Sequence, residues 1–446
     1  LITQDIIPRK DKEIPLYERI KNAMDVTCII LPYEKANQKI RIKHGDINFH
    51  DLMNKGIDKE FEVCSSTDFI NILFSSGTTA EPKAIPWTHV TPFKCAIDGF
   101  LHLDIKAHDI VAWPTNIGWM MGPWLIFASF MNGASMSLFI GSPTDEEFLK
   151  FIFTTNTSVL GLVPSMVRKW IDMGCLEKPY LTKIRLFSST GEASNPQDYF
   201  ILMSSANFSP VIEYCGGTEI GGGYITGTLA KYASPATFST PALGIDFVIV
   251  DNNLRNAKEG ELFILPPSPG LSFTLLNKNH DEVYYKLENK EIGHLVSACG
   301  VNVSELVKTY NTVLRYHGDV MEALPNGYFK SHGRADDTMN LSGIKISSVE
   351  IEECVKQLDE VYDVAAIAYD PPAGGPSKLV LYIIPRVNIS KEEMKKKATS
   401  IIKSRLSPYF SVYDVVFIDN LPRTPTNKVM RRILKKEYAE RIENLT

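Results

Sequence analysis

The feature that most constrains the fold is the alternation of short apolar runs with helical patterns between residues 66 and 250. Four of these runs, 69–74, 159–163, 184–187 and 210–214, are typical of buried strands, and each leads into a loop rich in small residues. Strands that alternate with helices predict an α/β fold whose mainly parallel sheets are flanked by helices. Ligands of such sheets bind beyond the carboxyl ends of the strands, so we expect a binding site in these loops.

A second unit begins at the segment 333–336 (Gly-Arg-Ala-Asp). Strand patterns at 364–368 and 379–383 precede a helical pattern at 391–406, a strand near 415–417 and a basic C-terminal helix. We therefore predict a large domain over residues 1–335 and a small α+β domain over residues 336–446. A chain of 446 residues is long enough for both domains to have hydrophobic cores.

Charge and cysteine usage exclude several classes of protein. The net charge of −5 gives no basic surface that would indicate a nucleic-acid partner. The seven cysteines are scattered, odd in number and without a Cys-x-x-Cys pair. This pattern favours a reducing compartment over a disulfide framework or a zinc site.

The nearly uncharged segment 124–140 resembles a membrane span, but it is short and contains Asn132 and Gly133. We predict a buried helix and strand there, and no transmembrane segment. The final residues, Asn-Leu-Thr, do not form a peroxisomal signal of the Ser-Lys-Leu type. The expected compartment is therefore the cytoplasm, with the peroxisome as the alternative.

The most informative motif follows the first strand pattern. It offers hydroxyls and backbone N–H groups to phosphate oxygens, together with one mobile positive charge. Its residues are Ser75, Ser76, Gly77, Thr78, Thr79 and Lys83. The spacing differs from that of the P-loop in kinases and GTPases. Taken alone, the segment could also be a solvated Ser/Thr loop.

Three further segments favour the phosphate-binding interpretation. Residues 214–219 (Tyr-Cys-Gly-Gly-Thr-Glu) place a hydroxyl and a carboxylate after a strand. Residues 331–337 (Ser-His-Gly-Arg-Ala-Asp-Asp) precede a glycine loop at 340–345, and residues 421–432 contain Pro-Thr-Asn-Lys near the C-terminus.

In this order, the four segments resemble the phosphate loop, the Thr-Glu motif, the hinge with its thiolation loop, and the lysine loop of the acyl-adenylate-forming superfamily. Within that superfamily the chain is most similar to the acetyl-CoA-synthetase-like branch, and there to the plant acyl-activating enzymes that include a hexanoyl-CoA synthetase. The resemblance covers nearly the whole chain. It implies an acyl-CoA synthetase that uses ATP, Mg²⁺ and coenzyme A to activate a small carboxylic acid.

The resemblance also assigns roles to residues. Thr78, Thr79 and Lys83 would hold the β- and γ-phosphates, Thr218 would lie near the α-phosphate, and Glu219 would bind Mg²⁺. The adenosine would contact Gly191, Glu192, Ala193, Asp319, Arg334 and Lys345, with Asp319 at the ribose hydroxyls. Lys428 would neutralise charge as the mixed anhydride forms. Without these motifs, each of these residues would be interpreted as an ordinary solvent-exposed residue or a helix cap.

The second half-reaction requires the thiol to approach where pyrophosphate has left. In the family, the small domain is mobile and rotates about a hinge at the position of Asp336. That rotation would bring Ser342 and Gly343 to the site, where Gly343 leaves room for the pantetheine arm. A plain turn is the alternative interpretation of Gly343.

Acyl specificity is predicted from Gly216, which stands where acetate-specific relatives have a tryptophan. We expect its hydrogen to open space for several methylenes, and Met120, Met121 and Thr190 to line the rest of the pocket. The preferred acid should then be longer than propionate, in the short- to medium-chain range.

The chain departs from the family pattern in four places. Ala80 and Asn427 replace glycines of the phosphate and lysine loops. Residues 286–310 look like an insertion without an assigned role. The chain also lacks a region that precedes Leu1 in relatives, so we expect the large domain to be incomplete at its N-terminus.

Three functions stay open on the sequence alone. The first is an acyl-CoA synthetase, and the second is a ligase that passes acyl-AMP to an acceptor other than CoA. The third is a non-catalytic or truncated homologue that only binds nucleotide. The first two differ in CoA-dependent release of AMP, and the presence of Lys428, Glu219 and Asp319 argues against the third.

Overall fold

The computed structural model describes residues 1–9, 12–22, 26–33, 41–53, 60–75, 82–191, 194–251, 253–285, 294–310, 314–334, 338–341, 344–372, 375–422, 429 and 431–443. Its N-terminal elements are β1 (Ile2–Gln4), β2 (Ile6–Arg9), β3 (Lys12–Pro15), α1 (Leu16–Ile20), β4 (Ile29–Leu31), β5 (Ile47–Asn48) and α2 (Phe49–Met53). Strand β4 lies between β1 and β5 in a small parallel sheet, and β2 pairs with β3.

The next region alternates strands and helices. Its elements are β6 (Phe69–Ser75), β7 (Lys83–Thr88), α3 (Thr91–Leu101), β8 (Ile110–Ala112), α4 (Met121–Phe130), β9 (Ser135–Met136), α5 (Glu146–Thr154), β10 (Val159–Leu162), α6 (Pro164–Asp172), β11 (Leu186–Ser189), α7 (Pro196–Ser205), β12 (Val211–Gly217), β13 (Gly222–Thr226) and β14 (Thr240–Pro241). The helix and strand predicted within 124–140 are present as α4 and β9. None of the described helices has both the length and the apolar sequence that a membrane span requires.

A seven-stranded sheet organises this region, in the order β14-β13-β12-β11-β10-β8-β9. The five strands from β9 to β12 run parallel, and β13 and β14 continue the sheet antiparallel. Neighbouring residues such as Val159 and Leu160 belong to hydrophobic clusters on opposite faces. Both faces are therefore buried, and the predicted parallel sheet flanked by helices is confirmed.

Strand β6 departs from the prediction. The segment 69–74 was expected to be a buried strand, but of these residues only Leu73 is buried, and Phe74 is 65% exposed. The reason is that β6 pairs antiparallel with β7 in a separate two-stranded sheet. An apolar run predicts a strand, but it does not reveal how many faces of that strand are covered.

The following region is antiparallel. Its elements are β15 (Asp246–Val250), β16 (Glu259–Leu265), α8 (His280–Tyr284), α9 (Val303–Tyr310), β17 (Arg315–Ala323) and β18 (Phe329–Arg334), and the four strands form one sheet in chain order. Leu295 and Val303 lie in the segment predicted to be an insertion, and both are buried against residues of β15 and β16. That segment therefore has a structural role, because it covers one face of this sheet.

The C-terminal elements form the predicted α+β unit. They are β19 (Thr338–Leu341), β20 (Ile344–Ser347), α10 (Ser348–Val355), β21 (Val361–Tyr369), β22 (Lys378–Pro385), α11 (Lys391–Arg405), β23 (Val412–Phe417) and α12 (Arg431–Glu443). Helices α10 and α11 cover one face of the β21-β22-β23 sheet, and α12 covers the other. Arg431 at the start of α12 pairs with the buried Glu352 of α10 at 2.8 Å. The boundary at residue 336 stays a prediction.

Candidate active site

The first part of the site lies where β6 turns into β7. Ser75 and Lys83 face each other in the register of these two strands. The Oγ atom of Ser75 is buried, and among the described residues it has no hydrogen-bond partner. Burying such a hydroxyl is costly unless a ligand or water satisfies it. The predicted phosphate-loop residues Ser76, Gly77, Thr78, Thr79 and Ala80 lie outside the described residues.

The Thr-Glu motif forms a tight turn at the end of a sheet strand. Strand β12 ends at Gly217, and Thr218–Ile220 is a single 3-10 turn that Gly221 closes with a φ of +66°. A Cβ atom on Gly221 would lie 2.2 Å from Cγ2 of Thr91, so glycine is required by space as well as by conformation. The indole Nε1 of Trp87 donates to the carbonyl of Thr218 at 2.7 Å. The turn is therefore held rigidly.

Lys83 and Glu219 meet at this turn. The Nζ atom of Lys83 lies 3.9 Å from Oε1 of Glu219, and both side chains are largely buried. The backbone of Glu219 is also fixed, because its carbonyl accepts a hydrogen bond from the N–H of Ser272 at 2.8 Å. Two residues that the sequence assigned to phosphate and metal binding thus lie next to each other.

Arg315 is a site residue that the motifs did not identify. Its guanidinium is almost fully buried and donates to the carbonyl of Glu219 at 3.2 Å and to Oγ of Ser272 at 2.8 Å. The ring of Tyr284 packs against it, with 3.9 Å between Cζ and the ring centroid, and Lys83 Nζ lies 5.0 Å from the same centroid. Burial lowers the pKa of Arg315. Arg315 therefore supports the Glu219 turn from the neighbouring strand β17.

Asp319 lies on β17, opposite Arg334 in the register with β18. Its Oδ2 atom accepts a hydrogen bond from the hydroxyl of Tyr224 at 2.7 Å and lies 3.2 Å from Nε2 of His317. Arg315, His317 and Asp319 are spaced two residues apart along β17, and the contact between His317 and Asp319 shows that these two side chains share a face, although the pairing with β16 is irregular between Tyr316 and Val320. That period of two is the sequence signal that could have identified His317. The side chain of Arg334 lies outside the described part of the structure.

The predicted adenine segment follows strand β11. Gly191 has a φ of +96°, where glycine is favoured, and Glu192 and Ala193 lie outside the described residues. Behind this segment Glu213 is buried and accepts a hydrogen bond from the N–H of Ala236 at 3.0 Å. Burial raises the pKa of Glu213 to about 7, although hydrogen bonds from Ser194 and Ser189 oppose that shift.

The predicted acyl-pocket residues lie on several different elements. Met120 and Met121 are at the start of α4, and Thr190 follows β11, where its N–H donates to the carbonyl of Leu162 at 3.2 Å. A Cβ atom on Gly216 would lie 2.0 Å from the carbonyl oxygen of Gly222. The glycine is therefore required by the close approach of β12 and β13. The place of Gly216 in the acyl pocket stays a prediction.

The predicted small-domain residues are only partly described. Asp336, Ser342, Gly343, Asn427 and Lys428 lie outside the described residues. Lys345 occupies strand β20, where its backbone pairs with Asn340, and its side chain is not described.

The single carboxylate at the Glu219 turn is compatible with a magnesium ion whose other ligands are nucleotide phosphates and water. Within the described ranges, no group of three or more His, Cys, Asp or Glu side chains could hold a metal. Mg²⁺ is usually bound by one or two carboxylates together with substrate phosphates and water, so Glu219 is a sufficient protein ligand of this kind.

Two family models match the chain: the AMP-binding enzyme over residues 5–270, and the AMP-binding enzyme C-terminal domain over residues 350–428. "Probable acyl-activating enzyme 17, peroxisomal" from Arabidopsis thaliana is 42% identical, and the match covers 99% of this chain and 61% of that protein. "Hexanoyl-CoA synthase" from Cannabis sativa is also 42% identical, over 98% of this chain and 61% of that protein. The chain thus spans about three fifths of the length of these plant relatives.

Solved structures bear out the fold. An acetoacetyl-CoA synthetase from Streptomyces lividans has a TM-score of 0.66 at 21% identity, over 98% of this chain and 66% of that one. Acetyl-coenzyme A synthetases, such as that of Rubrobacter xylanophilus at 27% identity, are also similar in sequence over 98% of this chain and 67% of that one. The chain belongs to the AMP-binding enzyme family, and within it resembles plant acyl-activating enzymes and acetyl-CoA synthetases.

Proposed function

We propose that the protein is an AMP-forming acid–CoA ligase that works through an acyl-adenylate. The observation that carries the proposal is the junction of β17 with the β12–β13 hairpin. Arg315 of β17 holds the Glu219 turn, and Asp319 of the same strand contacts Tyr224 of β13. Strand β17 thus supports the turn that carries Glu219, a carboxylate suited to a metal, and itself carries Asp319, a carboxylate suited to a ribose.

In the first step a carboxylate oxygen of the acid attacks the α-phosphorus of ATP, and pyrophosphate leaves. Lys83, with Thr78 and Thr79, would neutralise the β- and γ-phosphates, and Thr218 would lie at the α-phosphate. Mg²⁺, held by Glu219, would supply further charge neutralisation. Lys428 would contact the carboxylate and the α-phosphate. Such catalysis depends mostly on positioning and electrostatic stabilisation.

In the second step the thiolate of CoA attacks the acyl carbonyl, and AMP leaves. We propose that the unit formed by residues 336–446 turns about Asp336, so that Ser342 and Gly343 replace Lys428 at the site. The thiol releases its proton to solvent, and the phosphate of the departing AMP retains the electron pair of the broken bond.

The proposed acids are longer than propionate and of short to medium chain length. The name of the cannabis relative, a hexanoyl-CoA synthase, supports this range. Met120, Met121 and Thr190 remain the proposed lining, and the adaptable side chains of the two methionines suit an acyl chain.

The proposed compartment is the cytoplasm, because the scattered cysteines suit a reducing environment. The peroxisome is the alternative, since the names of two plant relatives include it. Immunofluorescence of the endogenous protein against a peroxisomal marker distinguishes the two.

The test is to incubate the purified protein with Mg-ATP and acids from acetate to palmitate, with and without CoA, and to measure AMP and acyl-CoA. We expect CoA-dependent AMP release with hexanoate-like acids and its loss in Lys428→Ala. Lys436→Ala is the matched control, because Lys436 lies in the same basic stretch and is exposed on α12.

Two other outcomes would contradict the proposal. Acyl-AMP formation without CoA-dependent release would indicate another acceptor. No adenylation of any acid, together with no binding of ATP, would remove the proposed activity.

A further inference from the structure

The carboxylate of Asp319 is held from the protein side by groups that belong to none of the assigned motifs. Its Oδ2 atom accepts from the hydroxyl of Tyr224 at 2.7 Å, and Nε2 of His317 lies 3.2 Å from the same oxygen. The Sγ atom of Cys215 approaches this oxygen to 3.9 Å. Three groups from three strands therefore converge on one oxygen and restrict rotation of the carboxylate.

Tyr224, which donates to the carboxylate, and His317, which contacts it, are themselves packed tightly. The rings of Tyr224 and His317 meet edge to face with their centroids 4.6 Å apart, and Phe247 contacts Tyr224 in the same geometry at 6.1 Å. Tyr224 is fully buried, and His317 and Asp319 are nearly so. Burial, followed by the charge of Asp319, raises the pKa of the Tyr224 hydroxyl well above its ordinary value. The hydroxyl therefore stays protonated and able to donate.

We propose that Tyr224 and His317 are positioning residues that orient Asp319 toward the two ribose hydroxyls and thereby determine the preference for ribonucleotides. The inference rests on the proposed function, in which Asp319 contacts the ribose. A carboxylate held by the Tyr224 hydrogen bond, with the His317 ring packed against that tyrosine, does not need to reorganise when the nucleotide binds. A site built to bond a hydroxyl discriminates strongly against an analogue that lacks it, provided that the acceptor is held in place.

The experiment measures equilibrium binding of AMP, 2′-deoxyAMP and 3′-deoxyAMP by calorimetry, so that no turnover is required. Tyr224→Phe removes one hydroxyl and keeps the ring packing. We expect it to weaken AMP binding about two- to tenfold, because a carboxylate that is no longer held must be ordered when the nucleotide binds. Binding of the deoxynucleotides should change much less, so discrimination falls.

Tyr438→Phe is the matched control. Its hydroxyl also donates to a carboxylate, that of Asp414 at 3.0 Å, but within the cluster beneath α12. It should leave all three affinities unchanged. His317→Leu removes the ring that packs edge to face against Tyr224 and contacts Oδ2 of Asp319, so it should change discrimination in the same direction as Tyr224→Phe.

A double-mutant cycle separates positioning from a general structural effect. In an Asp319→Ala background, Tyr224→Phe should have no further effect on AMP affinity. If the native protein discriminates against the deoxynucleotides and Tyr224→Phe discriminates equally well, the inference is wrong while the proposed function stands. If the native protein binds all three alike, both the inference and the ribose role of Asp319 fail.

Discussion

The ammonium of Lys83 lies 3.9 Å from the carboxylate of Glu219, although Lys83 belongs to the β6-β7 pair and Glu219 to the turn that follows β12 of the seven-stranded sheet. This distance is too long for a hydrogen bond and short enough for a strong electrostatic interaction in a largely buried site. Without nucleotide, the two charges therefore neutralise each other. When ATP binds, its phosphates would pair with Lys83 and its Mg²⁺ with Glu219. The pair is consistent with the proposed roles of Lys83 at the phosphates and Glu219 at Mg²⁺.

Glu219→Gln is expected to lower the rate of acid-dependent ATP–pyrophosphate exchange about 10²-fold, as the loss of one electrostatic group at a reacting phosphate does. The amide keeps the size of the side chain but loses the charge that binds Mg²⁺. Exchange measured against Mg²⁺ concentration should require more Mg²⁺ for half-maximal rate. Glu147→Gln, at an exposed position on α5, is the control. An unchanged Mg²⁺ dependence in Glu219→Gln would exclude Glu219 as the metal ligand.

Arg315→Met should destabilise the protein by roughly 2–4 kcal/mol, because the carbonyl of Glu219 and the hydroxyl of Ser272 each lose a charged donor inside the core. The midpoint of urea unfolding measures this change, provided that the slope of the transition is retained. Lys436→Met is the control, since Lys436 pairs with Glu440 on the exposed surface of α12 and should contribute at most about 1 kcal/mol. Equal effects of the two substitutions would contradict the support role of Arg315.

Much of the parallel sheet could be predicted from the sequence, because apolar runs and helix-starting residues there coincide with the strands and helices of the structure. Strand β10 and helix α6 lie where the apolar run and Pro164 place them, since proline suits the first turn of a helix. Strand β6 was predicted correctly as a strand and wrongly as a buried one. Its sequence specifies an extended chain, whereas its exposure depends on which elements pack against it.

The motifs identified Lys83, Glu219 and Asp319, but not the residues that hold them. Arg315 and Tyr284 act through contacts with segments that are distant in sequence. An isolated arginine or tyrosine in a single sequence carries no sign of such a partner. The spacing of two between His317 and Asp319 was a usable signal, because it predicts that these two side chains share a strand face, as their 3.2 Å contact shows.

Gly216→Ala tests whether Gly216 belongs to the acyl pocket. Its Cβ atom would meet the carbonyl of Gly222 at 2.0 Å, so we expect a loss of stability of roughly 2 kcal/mol or more. Gly260→Ala creates a similar clash with the carbonyl of Val250 in another sheet and should destabilise comparably. Only Gly216→Ala should lower the ratio of kcat/KM for hexanoate to that for acetate. If both variants keep the native ratio, Gly216 does not shape the pocket.

Because Glu213 is buried, its titration should make the free energy of unfolding decrease as pH rises. Burial raises the pKa of its carboxyl from 4.5 to about 7 in the folded protein. Between these two values the folded state keeps a proton that the unfolded state has lost, so the free energy of unfolding falls as pH rises. The contribution is fully present below about pH 4.5 and is lost once pH passes about 7.

Glu213→Gln removes this titration while keeping an acceptor for the N–H of Ala236, which donates to Oε1 of Glu213 at 3.0 Å. We expect the variant to gain roughly 2–3 kcal/mol over the native protein at pH 8 and little at pH 4.5, because the buried charge is absent. Urea unfolding from pH 4.5 to 8 measures the difference, and Glu259→Gln, at an exposed position of β16, should leave the native slope unchanged. If Glu213→Gln keeps the native dependence of unfolding free energy on pH, a group other than Glu213 causes that dependence. A loss of stability in this variant at every pH would mean that the ionised carboxylate is the form that the folded protein stabilises.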